Sequence, residues 1–360
     1  MMLKSPYPWF GGKASVMPEV WRRFGDVRNF VDPFMGSLAP LLCRPAPFDG
    51  TETVNDADGF VANFWRAVAA DPAAVASFAD WPVNENDLHA RHAWLVGRRE
   101  SITARLEGDP DWFDPKVAGW WVWGACCWIG SGWCSGNGPW SVVEAEDGSR
   151  QLVHLGDAGM GVNRKRVHLG NAGRGVNRQL VHLGNAGMGV NRKRVHLGDA
   201  GRGDAGGEPE TGLGEWFALL SERLRRVRVC CGDWTRVCGP TPTVKRGLTA
   251  VFLDPPYADE AERRDDLYAK DCGKVAHAVR EWALERGGDP RMRIALCGYE
   301  GEHAMPPTWE CYAWKARGGY GSQSGEHDNP NSRRERIWFS PHCLKPTRPR
   351  PLEFAFGSGA

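Results

Sequence analysis

The chain has 360 residues, 42% hydrophobic and 25% charged, enough to bury a large core in one domain that carries an insertion. Its formal net charge of +1 excludes a whole-molecule pull toward nucleic acid or a membrane surface, so any electrostatic footprint is local. Eleven cysteines are an odd number, the start "MMLKSPYPWF" has no apolar leader, and no segment reaches about 18 uninterrupted apolar residues; together these predict a reducing, cytoplasmic protein with free thiols and no membrane contact.

In chain order, residues 28–80 pair "RNFVDPFMGSLAPLLC", a strand, a tight glycine turn and an apolar stretch, with "ETVNDADGFVANFWRAVAAD", a strand, an acidic turn and an amphipathic helix. That alternation predicts an α/β unit with parallel strands. The composition changes over 81–213, which reads as an insertion. Within it, "GWWVWGACCWIGSGWCSGNGPW" (119–140) holds six of the 18 tryptophans. Two readings stand for this stretch: a buried helix plus a turn, or an aromatic surface that stacks on bases, with Trp133 and Trp140 as the loop tryptophans.

A repeat with a period of 14 then runs over 151–203, as in "VHLGDAGMGVNRKR" and "VHLGNAGRGVNRQL". Met160 and Met188 alternate with Arg174 and Arg202, so the fuller period is 28. Four units suit a small β-solenoid or a flexible arm. Nine Lys/Arg against two Asp make it the local positive patch, carried by Arg164, Lys165, Arg166, Arg174, Arg178, Arg192, Lys193 and Arg194 among others. His154, His168, His182 and His196 recur in register, and Cys126-Cys127 with Cys134 shares its spacing with Cys230-Cys231 with Cys238. Neither pattern has the usual metal-ligand spacing, so polar turn residues and buried thiols are expected, with no metal.

From Glu215 the α/β pattern resumes. "EWFALLSERLRRVRVCCGDW" is a helix leading into a strand, "GLTAVFLDPPY" a buried strand, "GKVAHAVREWALERG" a helix, and "RMRIALCGY" and "RERIWFSP" two more strands. Both halves, 1–80 and 214–345, are expected to share one sheet, with 346–360 as a tail.

The chemistry is expected at Asp254-Pro255-Pro256-Tyr257, because ligands of open α/β sheets sit outside the carboxyl ends of strands. Two prolines fix the backbone and hold the Pro255 carbonyl beside the Asp254 carboxylate. Paired acceptors suit an exocyclic amine. Accepting both N–H bonds draws its nitrogen toward tetrahedral geometry and aims its lone pair at an electrophile, while Tyr257 is placed to stack on the base. A plain Pro-Pro strand terminator is the other reading of this tetrapeptide alone.

"DPPY" is not alone. "PYPWFGGKAS", "FVDPFMGS", "VNDAD" and "CGDW" occur in fixed order with it, and the set resembles the D12 class of DNA adenine-N6 methyltransferases over residues 4–80 and 215–340. The resemblance implies a Rossmann-like methyltransferase sheet with an inserted target-recognition region, here containing the 14-residue repeat array. It implies S-adenosylmethionine as methyl donor and double-stranded DNA as partner, in a cytoplasmic, nucleoid-associated enzyme of unspecified oligomeric state.

By motif matching, Trp9, Gly11, Gly12 and Lys13 contact the cofactor, with the Lys13 ammonium toward its carboxylate. Asp32, Phe34 and Gly36 form the close-approach turn, although "DPFMGSLAP" lacks a second glycine often found there. Asp56 matches the acidic residue that holds ribose hydroxyls, and Asp233 is either a partner of the cofactor's adenine or a turn aspartate. Direct in-line transfer to a flipped-out base is the expected reaction. Arg333, Arg334 and Arg336, in a Gly-rich basic segment, suit phosphates, with a solvated loop as the other reading. The competing functions are a cytosine-N4 methyltransferase, a catalytically idle DNA-binding protein that works through its repeats, and a methyltransferase for RNA or protein.

Overall fold

The computed structural model describes residues 3–9, 11–46, 49–128, 133–134, 140–144, 150–154, 212–257, 267–315 and 333–346, with only the backbone of 85, 140–144, 150–154 and 267–273. Strands β1 (Asn29–Asp32), β2 (Thr51–Asp56), β5 (Val227–Cys231), β6 (Thr249–Leu253), β7 (Met292–Tyr299), β8 (Glu310–Ala313) and β9 (Glu335–Phe339) form one sheet in the order β5-β2-β1-β6-β7-β9-β8. Only β9 runs against the others. A separate antiparallel hairpin joins β3 (Trp140–Glu144) to β4 (Arg150–His154).

The central strands are buried on both faces: β6 and most of β7 are apolar, while β1 and β2 also bury Asn29, Asp32, Glu52, Thr53 and Asn55. Successive residues alternate between two cores, as the period of two requires. Phe30, Ala250, Phe252, Ala295 and Cys297 face one, while Val31, Val251, Leu253, Ile294 and Leu296 face the other. Helices α1 (Met17–Phe24), α3 (Gly59–Ala70), α4 (Pro72–Ala79) and α8 (Leu213–Leu224) bury their apolar stripes in the first core. The short α9 (Thr235–Cys238) and the C-terminal part of α10 (Leu267–Arg286) cover the second. The result is an α/β fold with a mostly parallel seven-stranded sheet, compatible with a Rossmann-like architecture. Among the described residues no helix is long and apolar enough to cross a membrane.

Position 81 is not a break in packing. Helices α5 (Glu85–Val96), α6 (Arg99–Gly108) and α7 (Pro115–Cys127) belong to the first core, where Trp121 and Val122 join Phe64 and Trp65. Asp114 caps α7 by accepting from the N–H of Lys116 and Val117. The Arg66 guanidinium donates to the carbonyls of Val229, Leu106 and Asp109, fastening the end of α6 and the residue after it to the middle of β5. The described start of the Trp-rich stretch is a helix with Trp121 and Trp123 buried, and Trp128 is buried at its end. The repeat array beyond β4 lies outside the described residues, and with it Arg164, Lys165, Arg166, Arg174, Arg178, Arg192, Lys193 and Arg194.

Candidate functional site

Strand order reverses at β1: the chain steps to β2 on one side and later to β6 on the other. Parallel neighbours connected in opposite directions leave a crevice at their carboxyl ends. A solvent-open cleft of ≈ 260 Å³ lies there, lined by Trp9, Gly11, Gly12, Lys13, Phe34 and Asp254 among others.

One wall is the turn after β1. Gly36 has φ of +39°, a conformation that disfavours any side chain, and the Trp9 indole covers it so closely that a Cβ there would lie 2.4 Å from Nε1. The Gly36 carbonyl accepts from the Tyr7 hydroxyl at 2.8 Å and the Trp65 indole N–H at 3.0 Å, while its N–H donates to Asp56 Oδ2 at 3.0 Å. Asn55 stitches the neighbouring turns: its Nδ2 donates to the carbonyls of Pro33 at 3.1 Å and Gly232 at 2.9 Å. "PYPW", "DPFMG", "VND" and "CGD" are thus drawn to one end of the sheet, and Tyr7, Asn55 and Trp65 are clamp residues that motif reading missed.

The carboxyls on this wall are electrostatically costly. Burial pushes Asp32 well up, the Phe34 N–H opposes, and Asp254 and Asp56 add to the rise. Asp32 Oδ2 is buried and has no hydrogen-bond partner among the described residues. Burial, then the Asp58 charge, push Asp56 up to about 7 against backbone N–H bonds from Asp58, Gly36 and Ala57. Because the folded value lies above the ordinary 3.8, the folded state holds this proton more tightly than the unfolded chain. The stabilisation is complete below about pH 4 and is lost as pH rises toward 7. Asp56→Asn cannot ionise and should reduce that decline by on the order of 1 kcal/mol, read as urea midpoints at about pH 5 and about pH 8.

The other wall is the end of β6. Asp254 is part-exposed, Pro255 buried, Pro256 exposed and Tyr257 buried. Lys13 reaches across from the Gly11-Gly12 segment: its ammonium is 3.1 Å from Asp254 Oδ1 and 3.7 Å from Glu335 Oε2, and donates to the Gly11 carbonyl at 3.0 Å. Burial alone would lower the Lys13 pKa, but Asp254 and the neighbouring anionic groups outweigh it and raise it. The ammonium is therefore engaged with protein carboxylates while still lining the cleft.

The Tyr257 hydroxyl is 3.1 Å from Asp254 Oδ1 and 3.0 Å from Glu335 Oε2, and its ring meets Tyr299 edge-on at 4.5 Å. Burial, then Asp254, hold this phenol well above its ordinary pKa. The stacking expected of Tyr257 gives way here to a ring turned into the protein. Glu335, at the first position of β9, is brought beside Lys13 and Tyr257, behind the cleft, by its antiparallel pairing with Tyr299, and the "RERIWF" pattern gave no sign of it.

Of the remaining candidates, Asp233 is exposed and its Oδ1 accepts from the Thr235 N–H at 2.9 Å, a turn contact. Beside it Trp234 stacks on Phe34 at 6.3 Å. Trp133 is engaged inside the protein: its indole N–H donates to the Trp121 carbonyl at 2.9 Å, and its ring lies so close to Gly124 that a Cβ there would fall within 1.8 Å. Trp133 is thus half-buried and packed on α7. Trp140 begins β3. Arg333 and Arg334 directly precede β9, on the carboxyl rim of the parallel strands, where Arg334 lies over the Tyr299 ring at 5.2 Å. Among the described residues no three His, Cys, Asp or Glu groups come together as a metal site.

No protein-family model and no curated protein matches the chain.

Proposed function

We propose that the chain is an S-adenosylmethionine-dependent DNA methyltransferase acting on the N6 amino group of a flipped-out adenine. The observation that carries this reading is the meeting of "GGK" and "DPPY" on one cleft, with Lys13 and Asp254 3.1 Å apart at the point where strand order reverses. Seven strands in a mostly parallel sheet accord with it.

The donor set suits the cofactor. Lys13 offers a cation for a carboxylate, and the buried Asp32 Oδ2 an acceptor for an ammonium. Asp56, whose oxygens already accept three backbone N–H bonds, keeps one acceptor site for a ribose hydroxyl, and Gly11 and Gly12 leave bare backbone for close approach. When bound, the cofactor supplies an electrophilic methyl on a sulfonium. The chain's own residues do the rest: the Asp254 carboxylate and Pro255 carbonyl accept from the target amine and orient its lone pair, and Lys13 fixes Asp254. Extruding the base costs a few kcal/mol, which protein–phosphate contacts offset.

The test is methyl transfer from labelled S-adenosylmethionine to duplex DNA, followed by nucleoside mass spectrometry. N6-methyladenine is expected. N4-methylcytosine would move the assignment to the other exocyclic amine, and transfer to RNA alone would refute the DNA reading. If Arg333 and Arg334 touch phosphates, replacing both with alanine should flatten the log–log salt dependence of DNA binding by about 0.9 for each phosphate that is no longer neutralised. An unchanged slope would return them to the solvated rim.

A further inference from the structure

The Tyr257 hydroxyl faces two carboxylate oxygens at nearly equal distance, Asp254 Oδ1 at 3.1 Å and Glu335 Oε2 at 3.0 Å, yet a phenol has one hydrogen to donate. The two acceptors are not equivalent. Asp254 is 23% exposed and lines the cleft, whereas the Glu335 side chain is 4% exposed and reaches no solvent. Asp254 Oδ1 already has the Lys13 ammonium at 3.1 Å, and each further donor draws electron density from the carboxylate and weakens it as an acceptor.

We propose that Glu335 is a positioning residue that takes the Tyr257 hydrogen and flanks Lys13, so that Asp254 stays available to the target amine. The role rests on the reading of Asp254 above. Glu335 acts only through Tyr257 and Lys13. Its place is set by the β7–β9 register with Tyr299, the ring that meets Tyr257 edge-on. Two rigid strands thus hold the acceptor, and the phenol is held between it and the cleft.

The experiment joins kinetics to a readout that needs no activity. The chain has six tyrosines, so ¹³Cζ-tyrosine labelling gives six resonances, and Tyr257→Phe identifies that of Tyr257. Glu335→Gln should move this resonance and lower turnover by about 10- to 100-fold, with S-adenosylmethionine affinity and melting temperature near those of the parent. Asp254→Asn should leave the resonance in place. In the Tyr257→Phe background, Glu335→Gln should cost less turnover than it does in the parent, because only its contact with Lys13 remains. A resonance moved by Asp254→Asn and unmoved by Glu335→Gln would put the hydrogen on Asp254 and overturn the proposal. Fully additive losses in the double variant would overturn it as well. If the parent methylates no nucleic acid, the functional reading fails by itself, while the resonance still decides which carboxylate holds Tyr257.

Discussion

Asp254→Asn is expected to lower methyl transfer by about 10²–10³, the usual loss when one preorganised contact to the reacting group is removed. Asparagine keeps the size of the side chain and one carbonyl oxygen, but its NH₂ repels the amine hydrogens that the carboxylate would accept. S-adenosylmethionine binding should survive, since the residues assigned to it lie mainly on the β1 and β2 side of the cleft. Asp254→Ala should be equally inactive and less stable. It leaves the buried Lys13 ammonium with Glu335 at 3.7 Å as its remaining carboxylate partner, a loss of roughly 1–3 kcal/mol, below that of a fully broken buried pair. Tritium transfer to duplex DNA, with melting curves for both variants, checks this. Near-normal turnover in Asp254→Asn would remove Asp254 from the chemistry.

Strands β6 and β7 were legible because a sheet covered on both faces writes itself as apolar runs ended by turn residues, whereas β1 and β2, with polar residues at several buried positions, were legible through the turns that end them and the alternation of strand with helix. Helix α1 was not legible. It buries Glu19 and Arg23 along with its apolar face. Arg23 pairs with Glu19 and Glu310 and lies 4.5 Å over the Phe339 ring, so charge stands where the pattern wants Leu or Val. Strand β8 escaped for the opposite reason: at the sheet edge it is mostly exposed and has no periodic signal to read.

The site divides in the same way. Lys13, Asp32, Gly36, Asp56 and Asp254 sit in short stretches whose residue types are odd for their place, and oddness can be seen in a string of letters. Glu335 and Asn55 are polar residues on strands, where alternation alone sends them to a solvent face. Only the parallel order of β1, β2 and β6 and the reversal of β9 turn them toward the cleft. Composition likewise could not tell a displayed tryptophan from a packed one. The nearest signal was Gly124, whose missing side chain admits the Trp133 ring.

Gly36→Ala is expected to weaken S-adenosylmethionine binding while leaving the sheet intact. At φ of +39° a Cβ costs about 1–2 kcal/mol in backbone strain alone. It would also lie 2.4 Å from Nε1 and 2.7 Å from Cε2 of Trp9. The indole is 38% exposed and can swing outward, so the clash is relieved by uncovering the cleft rather than by unfolding. The same shift loosens the three hydrogen bonds that tie Gly36 to Tyr7, Trp65 and Asp56, and with them the carboxylate assigned to the ribose. A change of 1–2 kcal/mol corresponds to about a 5- to 30-fold loss of affinity, measured by calorimetric titration. Gly214→Ala is the control: it lies in α8 with open space around it and should leave binding unchanged while adding up to about 1 kcal/mol of helix stability. An unaltered dissociation constant in Gly36→Ala would mean that the cofactor does not approach the turn after β1, and the cleft would need a different ligand.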